Sequence, residues 1–263
     1  MKKKHLLDLT VKGVERINEK YILIRLTDSA PLPDMEPGQF VELRIDGSKT
    51  TFLRRPISIH YVDYEKNEFW LLIALVGDGT KSLATLREGD TMNILLPLGN
   101  GFTVSPDCNK GGEDPYSVLL VGGGVGVAPL LYAGDVIRRN GGKPVFLLGA
   151  RSRKDLLELD RFRAIGEVYV TTEDGSEGEK GFVTDHSIWD RQTFCQISVC
   201  GPKPMMLAVA RLAREKNTYC EVSLENKMAC GLGACLCCVE DTKEGNVCVC
   251  KDGPVFSIDK LKW

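Results

Sequence analysis

Apolar residues in the N-terminal part of the chain come in short runs that are separated by turn residues. Runs at 21–26, 39–45 and 68–76 are rich in the β-branched and aromatic residues that favour strands. Turn signals such as Pro37-Gly38 lie between them. Several short strands at this spacing predict a small antiparallel barrel over residues 1–100.

Beyond residue 100 the pattern changes to strands that alternate with helices. Residues 101–115 carry Gly, Pro, Asp and Asn with little apolar content, so we expect a linker there. Residues 116–222 alternate between apolar strand runs and helical stretches, which predicts a doubly wound parallel sheet with helices on both faces. The expected strands are at 117–121, 145–148, around 168–171 and around 197–200, and the expected helices at about 128–140 and at 204–216.

Size and charge restrict the function classes. The 263 residues are enough for two modest domains and an appendage, and a net charge of −2 leaves no basic surface for nucleic acid. Charged residues such as Asp8, Lys12 and Glu15 interrupt the N-terminal segment, and no run reaches membrane-spanning length. Ten cysteines without an export signal are typical of a reducing compartment, so we expect a cytoplasmic protein that does not enter a membrane.

Four cysteines near the C-terminus, Cys230, Cys235, Cys238 and Cys250, form the pattern C-x4-C-x2-C…C. This is the spacing of plant-type [2Fe–2S] sites, in which four thiolates hold two irons. The pattern predicts that residues 223–263 form a small cluster-binding lobe and that the protein handles single electrons.

Other uses of these cysteines are less consistent with the spacing. Structural zinc sites usually show two short cysteine knuckles, and disulfide scaffolds belong to short exported chains. Cys237 and Cys248 could compete as cluster ligands, although they fit the spacing less well. Gly231 and Gly233 would let the loop curl and direct N–H groups at the cluster.

A glycine loop follows the first predicted strand of the sheet. Between a strand and a helix, such a loop can hold a dinucleotide pyrophosphate, although glycine turns also serve plain packing. The second strand lacks the acidic residue of the dinucleotide fingerprint, because Gly149-Ala150-Arg151 stands at its end. Cys200-Gly201-Pro202 ends the fourth strand, where cofactors bind such sheets, although a buried cysteine before a turn is an alternative. The loop residues are Gly122, Gly123, Gly124 and Gly126.

One arginine in the barrel segment is a candidate for flavin binding. Arg55 is followed by Pro56, Ile57 and Ser58, and an arginine followed by a small hydroxyl residue can hold a flavin pyrophosphate and ring edge. Taken alone, a surface arginine beside an ordinary strand explains the same residues.

In this order the motifs resemble the ferredoxin–NADP reductase superfamily. Its pattern is an R-x-x-S stretch in a flavin barrel, a GGG-x-G-x-A-P loop and a later C-G-P, matched here at 55–58, 122–129 and 200–202. The segment from Glu225 to Cys238, with Cys250-Lys-Asp-Gly-Pro, resembles the electron-transfer subunits of type B, NAD-dependent dihydroorotate dehydrogenases.

The resemblance implies an oxidoreductase subunit that binds FAD, a [2Fe–2S] cluster and NAD. A separate subunit carrying FMN would oxidise dihydroorotate in pyrimidine synthesis, with two copies of each subunit in a heterotetramer. The chain would pass electrons through the cluster and FAD to NAD⁺, with no acid–base residue of its own. The family's FAD contacts carry over to Arg55, Pro56, Ile57 and Ser58, and also to Ile73, Ala74, Leu75, Gly79 and Thr80.

Some alternatives stay open at this point. Ile57 occupies the slot where the wider superfamily places a tyrosine against the flavin. Arg151 and Arg153 could reach the 2′-phosphate of NADP. Rival functions are a free-standing reductase, the flavin subunit of a ferredoxin-linked transhydrogenase, and a non-catalytic metal-binding partner. In the transhydrogenase an acidic residue is expected to replace one cluster cysteine.

Overall fold

The computed structural model describes residues 3–105 and 116–263. Tertiary contacts divide the chain into two compact units. The barrel unit comprises residues 1–101, 226–241 and 245–254, and the sheet unit comprises residues 102–225, 242–244 and 255–263. Residues 106–115 of the expected linker lie outside the described residues, and the domain limits expected from the sequence remain a prediction.

Seven strands of the barrel unit form one antiparallel sheet. They are β1 (His5–Arg16), β2 (Tyr21–Thr27), β3 (Phe40–Leu43), β4 (Arg55–Ser58), β5 (Tyr61–Asp63), β6 (Glu68–Ala74) and β7 (Thr91–Leu98). Their order is β4-β3-β7-β1-β2-β6-β5. The two edge strands β4 and β5 are consecutive in the chain and separated only by Ile59 and His60, so the sheet must curl until its edges meet. The predicted antiparallel barrel is therefore confirmed.

Three barrel strands were expected, and two long ones were not. The runs at 21–26, 39–45 and 68–76 correspond to β2, β3 and β6. β1 escapes a search for apolar runs because exposed and buried positions alternate along much of it. A short helix, α1 (Asp78–Ser82), follows β6.

The sheet unit contains the predicted parallel sheet. Its strands are β8 (Ser117–Gly123), β9 (Lys143–Ala150), β10 (Glu167–Thr172), β11 (Glu179–Lys180), β12 (Gln196–Cys200), β13 (Tyr219–Ser223) and, near the C-terminus, β16 (Val255–Ser257). The order is β11-β10-β9-β8-β12-β13-β16, and only the β13–β16 pair is antiparallel. The chain moves outward from β8 to β11 and returns to β12 on the other side of β8. This reversal creates a switch point between β8 and β12, where doubly wound sheets bind ligands.

Helices connect the parallel strands. They are α2 (Ala128–Arg139), α3 (Leu159–Arg163), α4 (Ile188–Arg191) and α5 (Lys203–Glu215). α2 begins with a proline at its first turn and stops before Gly141, whose φ of +82° ends the helix. Because crossovers between parallel strands are nearly always right-handed, the reversal of direction at β8 places helices on both faces of the sheet, as the sequence predicts.

The C-terminal segment forms a hairpin of β14 (Val239–Thr242) and β15 (Gly245–Cys248), then α6 (Val249–Asp252). Within residues 3–105 and 116–263, no helix is both long enough and apolar enough to cross a lipid bilayer.

Candidate functional site

The four cysteines of the C-x4-C-x2-C…C pattern lie in the barrel unit as two pairs of side chains. Cys230 and Cys235 share a hydrogen bond between their side chains, and so do Cys238 and Cys250. Cys238 and Cys250 are buried, whereas Cys235 is exposed and Cys230 is half-buried. A [2Fe–2S] cluster needs four thiolates, two on each iron, and this pairing supplies them.

Backbone N–H groups surround these sulfur atoms. Leu232 N donates to Cys230 Sγ at 3.3 Å, Gly233 N to Cys250 Sγ at 3.1 Å, and Cys250 N to Cys238 Sγ at 3.3 Å. Hydrogen bonds to the sulfur ligands are one of the means by which a protein stabilises an iron–sulfur cluster and sets its potential.

The same groups change the acidity of the thiols. Burial by itself would raise the pKa of Cys230, but N–H groups such as that of Leu232, together with the Cys235 thiol, lower it to about 6. Burial and the hydrogen bond with Cys238 raise the pKa of Cys250 to about 12. A bound metal ion deprotonates its thiol ligands, and the lowered pKa of Cys230 means that the loop already favours the thiolate there.

Both the backbone conformation at position 231 and the small space around it require a glycine there. Its φ is +66°, which is the left-handed region that favours glycine. A Cβ at this position would lie 2.8 Å from Cγ of Glu42 and 2.9 Å from Cδ1 of Leu98. The cluster loop, residues 230–238, therefore packs directly on β3 and the end of β7.

The fourth cysteine is fixed by contacts between α6 and Asn100. Asn100 N donates to Gly253 O at 2.7 Å, and its side-chain amide donates to Asp252 O at 2.9 Å. These bonds fix the segment that carries Cys250 to the end of the barrel.

The two extra cysteines border the loop. Cys237 is exposed. The half-buried Cys248 thiol donates to Gly233 O at 3.8 Å. Neither has the direct sulfur pairing that joins Cys238 to Cys250.

The residues present fit a binuclear cluster. In the described part of the chain, no group of three or more His, Cys, Asp or Glu side chains is arranged to hold a single metal ion. A [2Fe–2S] cluster does not require such a group, because each iron takes only two protein thiolates. Two sulfur pairs, N–H donors and a glycine turn are what this cluster needs.

The expected flavin residues lie around one edge of the barrel. Arg55, Pro56, Ile57 and Ser58 are the four residues of β4 and are all half-buried. β4 lies close to β6, although the two strands are not neighbours in the sheet. β5 pairs with β6 only as far as Trp70, so among the described residues the remainder of that edge of β6 has no strand partner. The main-chain groups along this edge are therefore candidates for contact with a flavin ring.

The side chains at this edge differ in their availability. Ile73 is fully buried, main chain included, whereas Ala74 and Leu75 are half-buried and within reach of a ligand. The Arg55 guanidinium donates to the carbonyl oxygens of Leu53 and Arg54, at 3.0 and 3.1 Å, and is held at the start of the strand.

The turn before and within α1 carries the remaining flavin candidates. Thr80 Oγ1 accepts hydrogen bonds from the N–H groups of Val76 and Gly77, at 3.0 and 3.2 Å. A Cβ at the buried Gly79 would lie 2.9 Å from Thr51. An arginine, a glycine turn and an unpaired strand edge fit a flavin with its pyrophosphate.

The predicted nucleotide motifs meet at the switch point of the sheet unit. Gly122 and Gly123 end β8, and Gly124 and Gly126 lie in the turn before α2. A Cβ at Gly126 would lie 2.5 Å from the carbonyl oxygen of Cys200 and 2.5 Å from Cα of Gly201. The Cys200-Gly201-Pro202 turn therefore packs on the glycine loop, and the residues fit a pyrophosphate at a helix start.

Acidic residues stand beside the two arginines that could favour NADP. Asp174 N donates to Arg151 O at 3.2 Å, and Arg153 Nε lies 3.7 Å from Glu177 Oε2. Hydrogen bonds from Ser176 lower the pKa of Asp174, so its carboxylate stays charged. The surroundings of Arg151 and Arg153 therefore carry both positive and negative charge. Such a site binds the 2′-phosphate of NADP less favourably than a site with the two arginines and no acidic residues.

Two carboxylates near these sites carry no motif that sequence reasoning could use. Glu225 Oε1 lies 3.9 Å from Cys200 Sγ, and burial together with this charge raises the pKa of Cys200. Glu42 lies under the cluster loop. The one sequence signal for either residue is the position of Glu225 at the start of the cysteine-rich segment, and it does not indicate a contact with Cys200.

Comparison with known families agrees with this geometry. The family described as the iron–sulfur cluster binding domain of dihydroorotate dehydrogenase B matches residues 225–262. The oxidoreductase NAD-binding domain family matches residues 120–211. The first match contains all four cluster cysteines, and the second contains the glycine loop and the Cys200 turn.

Curated relatives match over nearly the whole chain. An electron transfer subunit of dihydroorotate dehydrogenase B (NAD⁺) from Shouchella clausii is 39% identical over 255 residues, 95% of both chains. The protein of the same name from Bacillus velezensis is 39% identical over 99% of both chains. The one from Lysinibacillus sphaericus is 43% identical over 85% of this chain and 86% of its own.

Solved structures show the same fold. The structure of an NADH-dependent reduced ferredoxin-NADP oxidoreductase has a TM-score of 0.84 at 29% identity, over 97% of this chain and 90% of its own. A ferredoxin NADP⁺ reductase from Neisseria gonorrhoeae with bound FAD and NADP has a TM-score of 0.64 at 18% identity, over 81% and 92%. The second likeness shows the fold alone. Because relatives about 40% identical match it over nearly its full length, the chain belongs to the family of electron transfer subunits of the NAD⁺-dependent dihydroorotate dehydrogenase B.

Proposed function

We propose that this chain carries electrons from a dihydroorotate-oxidising partner subunit through a [2Fe–2S] cluster and FAD to NAD⁺, in pyrimidine synthesis. The observation that carries the proposal is the placement of two cysteine pairs in the same compact unit as the flavin segment β4. A one-electron carrier in the same compact unit as a flavin segment is the arrangement that electron transfer between them requires.

Each proposed site contributes binding and positioning rather than acid–base chemistry. When bound, FAD exchanges a hydride with NAD and single electrons with the cluster. Cys230, Cys235, Cys238 and Cys250 would hold the irons, and Arg55 would neutralise the flavin pyrophosphate. The glycine loop with the Cys200 turn would hold the nucleotide pyrophosphate and direct its nicotinamide.

The partner proposed for the chain is an FMN-containing catalytic subunit in a heterotetramer with two copies of each subunit. Apolar side chains on and beside the cluster loop support docking there, because Leu232, Leu236 and Val239 are 44%, 64% and 38% exposed. Met228 is half-buried and would contribute less to this surface. A partner that covers this surface would bring its FMN close to the cluster.

Reconstitution tests the division of labour. The isolated chain, loaded with FAD and iron–sulfur cluster, should oxidise NADH with artificial dyes and should not oxidise dihydroorotate. Addition of the catalytic subunit should couple dihydroorotate oxidation to NAD⁺ reduction. Dihydroorotate turnover by the isolated chain, or no coupling in the complex, would contradict the proposal.

A second function is favoured by one observation, the TM-score of 0.84 at 29% identity with the NADH-dependent reduced ferredoxin-NADP oxidoreductase structure. A transhydrogenase flavin subunit is expected to carry an acidic residue in place of one cluster cysteine, whereas this chain has all four. Reduction of ferredoxin by the purified complex, without a response to dihydroorotate, would favour this second function.

A further inference from the structure

Glu42 in β3 is a buried carboxyl group whose oxygens have no hydrogen-bond partner among the described residues. Its side chain is fully buried, and among the described residues neither of its oxygens takes part in a hydrogen bond. Buried polar groups in native proteins are nearly always hydrogen-bonded, because leaving one without a partner costs free energy. Packing alone would be served better by an apolar residue at this position.

Glu42 lies between the segments proposed for the two electron carriers. On one side, the cluster loop packs on it, since a Cβ at Gly231 would lie 2.8 Å from Cγ of Glu42 and 3.3 Å from its Oε1. On the other side, Glu42 is the cross-strand partner of Pro56, which follows Arg55 in the flavin segment β4.

Two arginines lie near the Glu42 carboxyl group and affect whether it is charged. Burial raises the pKa of Glu42 to about 7, and the neighbouring cations Arg54 and Arg55 oppose that rise. Arg54 also donates to the Glu42 carbonyl oxygen at 3.2 Å, which fixes the cation beside the strand. Charges in a protein interior interact more strongly than in water, and the potential of an iron–sulfur cluster responds to nearby charge.

We propose that Glu42 sets the reduction potential of the [2Fe–2S] cluster through the charge of its carboxylate. The inference rests on the proposed function, because it requires the cluster at the four cysteines. Reduction adds one electron to the cluster, and a carboxylate beside the loop opposes that added negative charge. Glu42 would therefore lower the reduction potential of the cluster through its negative charge, and it would not ligate iron.

A redox titration of the full-length, cofactor-loaded chain tests the inference. The cluster signal is followed by electron paramagnetic resonance at about pH 9, above the raised pKa of Glu42, so that its carboxyl group is charged. Glu42→Gln should make the cluster easier to reduce, by about tenfold in the one-electron equilibrium, which equals a shift of about 59 mV to more positive potential. Glu42→Asp keeps the charge and should stay closer to the unsubstituted chain.

Glu68, a second buried glutamate of the barrel at the start of β6, supplies the matched control. Glu68→Gln should leave the cluster potential unchanged. Glu42→Met provides a second uncharged variant in case the Gln variant does not retain its cluster, and it should shift the potential in the same direction.

Three results would overturn the inference. They are an unchanged potential in the uncharged variants, equal shifts in Glu42→Asp and Glu42→Gln, and loss of the cluster from both uncharged variants, which would assign Glu42 a purely structural role. A chain that shows no [2Fe–2S] signal before any substitution would overturn the proposed function itself, and this inference with it.

Discussion

Cysteine thiols and a single arginine carry the proposed cofactor chemistry at the residue scale. The sulfur pairs join Cys230 to Cys235 and Cys238 to Cys250, and these four thiols are the proposed iron ligands. Arg55 differs from a freely exposed arginine because carbonyl groups of its own loop fix its guanidinium. Substitutions at these residues should therefore remove one cofactor each.

Replacement of a paired cysteine should remove the cluster. We expect Cys250→Ser to lose the iron and the visible absorption of the cluster, because serine is a poor ligand and the second sulfur of the buried pair disappears. Iron analysis and the absorption spectrum provide the measurement. Cys237→Ser is the control, since Cys237 is exposed and lacks the sulfur pairing of Cys250. Bleaching by Cys237→Ser with an intact Cys238→Ser protein would show that the ligand assignment is wrong.

Replacement of Arg55 should release the flavin alone. Arg55→Ala removes the charge-assisted hydrogen bonds proposed to hold the pyrophosphate, so FAD should be lost on gel filtration while iron is retained. Arg16→Ala, which removes an arginine at the end of β1, should keep both cofactors. Full FAD occupancy in the Arg55 variant would exclude the proposed role.

At the scale of elements, glycines set how closely loops approach one another. Gly126 lies against the Cys200 turn, and Gly231 lies against β3, with less than 3 Å available to an added Cβ in each case. Gly141 and Gly245 have positive φ values of +82° and +105°, as Gly231 does at +66°, but no atom lies within 4 Å of a Cβ added at either of them. A substitution at Gly141 or Gly245 therefore adds backbone strain without a close contact, so it serves as a control for the effect of close packing.

Substitution of Gly126 should weaken nucleotide binding. Gly126→Val would push the Cys200 turn away from the glycine loop, so the KM for NADH should rise by at least about tenfold, about 1.4 kcal/mol of lost binding, with FAD content unchanged. Steady-state kinetics with NADH and NADPH measure this effect and the choice of nucleotide together. Gly141→Ala should leave the KM near its original value. A marked preference for NADPH would show that NAD is the wrong assignment.

Substitution of Gly231 should destabilise the cluster loop. Gly231→Ala adds both left-handed strain and a contact 2.8 Å from Glu42, so the variant should lose its cluster faster on warming. Gly245→Ala, in the turn between β14 and β15, adds strain without a contact and should retain the cluster as the original does. Equal rates of bleaching in the two variants would contradict the packing argument.

At the scale of the molecule, the cluster loop belongs to the same compact unit as the barrel. Binding of iron to the folded loop should therefore stabilise the unit that carries the flavin segment, because a ligand that binds only the native state raises its stability.

Removal of iron should consequently lower the temperature at which FAD is released. We expect a decrease of at least about 2 °C, the shift that about 1 kcal/mol produces in a protein of this size class. Flavin fluorescence during heating, with and without chelation under reducing conditions, gives the measurement. An unchanged release temperature would mean that the loop and the flavin segment are not thermodynamically coupled.

The sequence determined those features that depend on local chemistry. The spacing from Cys230 to Cys238, the glycine loop after β8 and the apolar runs of β2 and β6 each express a local requirement, so they could be identified from short segments. Such segments also carried the resemblance on which the cofactor predictions depended. β1 was missed because exposed and buried positions alternate along much of it. β7, which is buried over most of its length, was not identified from its sequence either.

Tertiary structure alone decided which distant residues meet. Nothing local to β3 indicates that Glu42 lies beneath Gly231, or that Cys200 closes on Gly126, because these contacts join segments far apart in the chain. The pairing of Cys238 with Cys250 likewise depends on α6, which Asn100 fixes to the barrel. The sequence of a segment indicates its secondary structure and its local motifs. The burial of a side chain and the charges around it depend on all the segments that pack against it, so only the tertiary structure determines them.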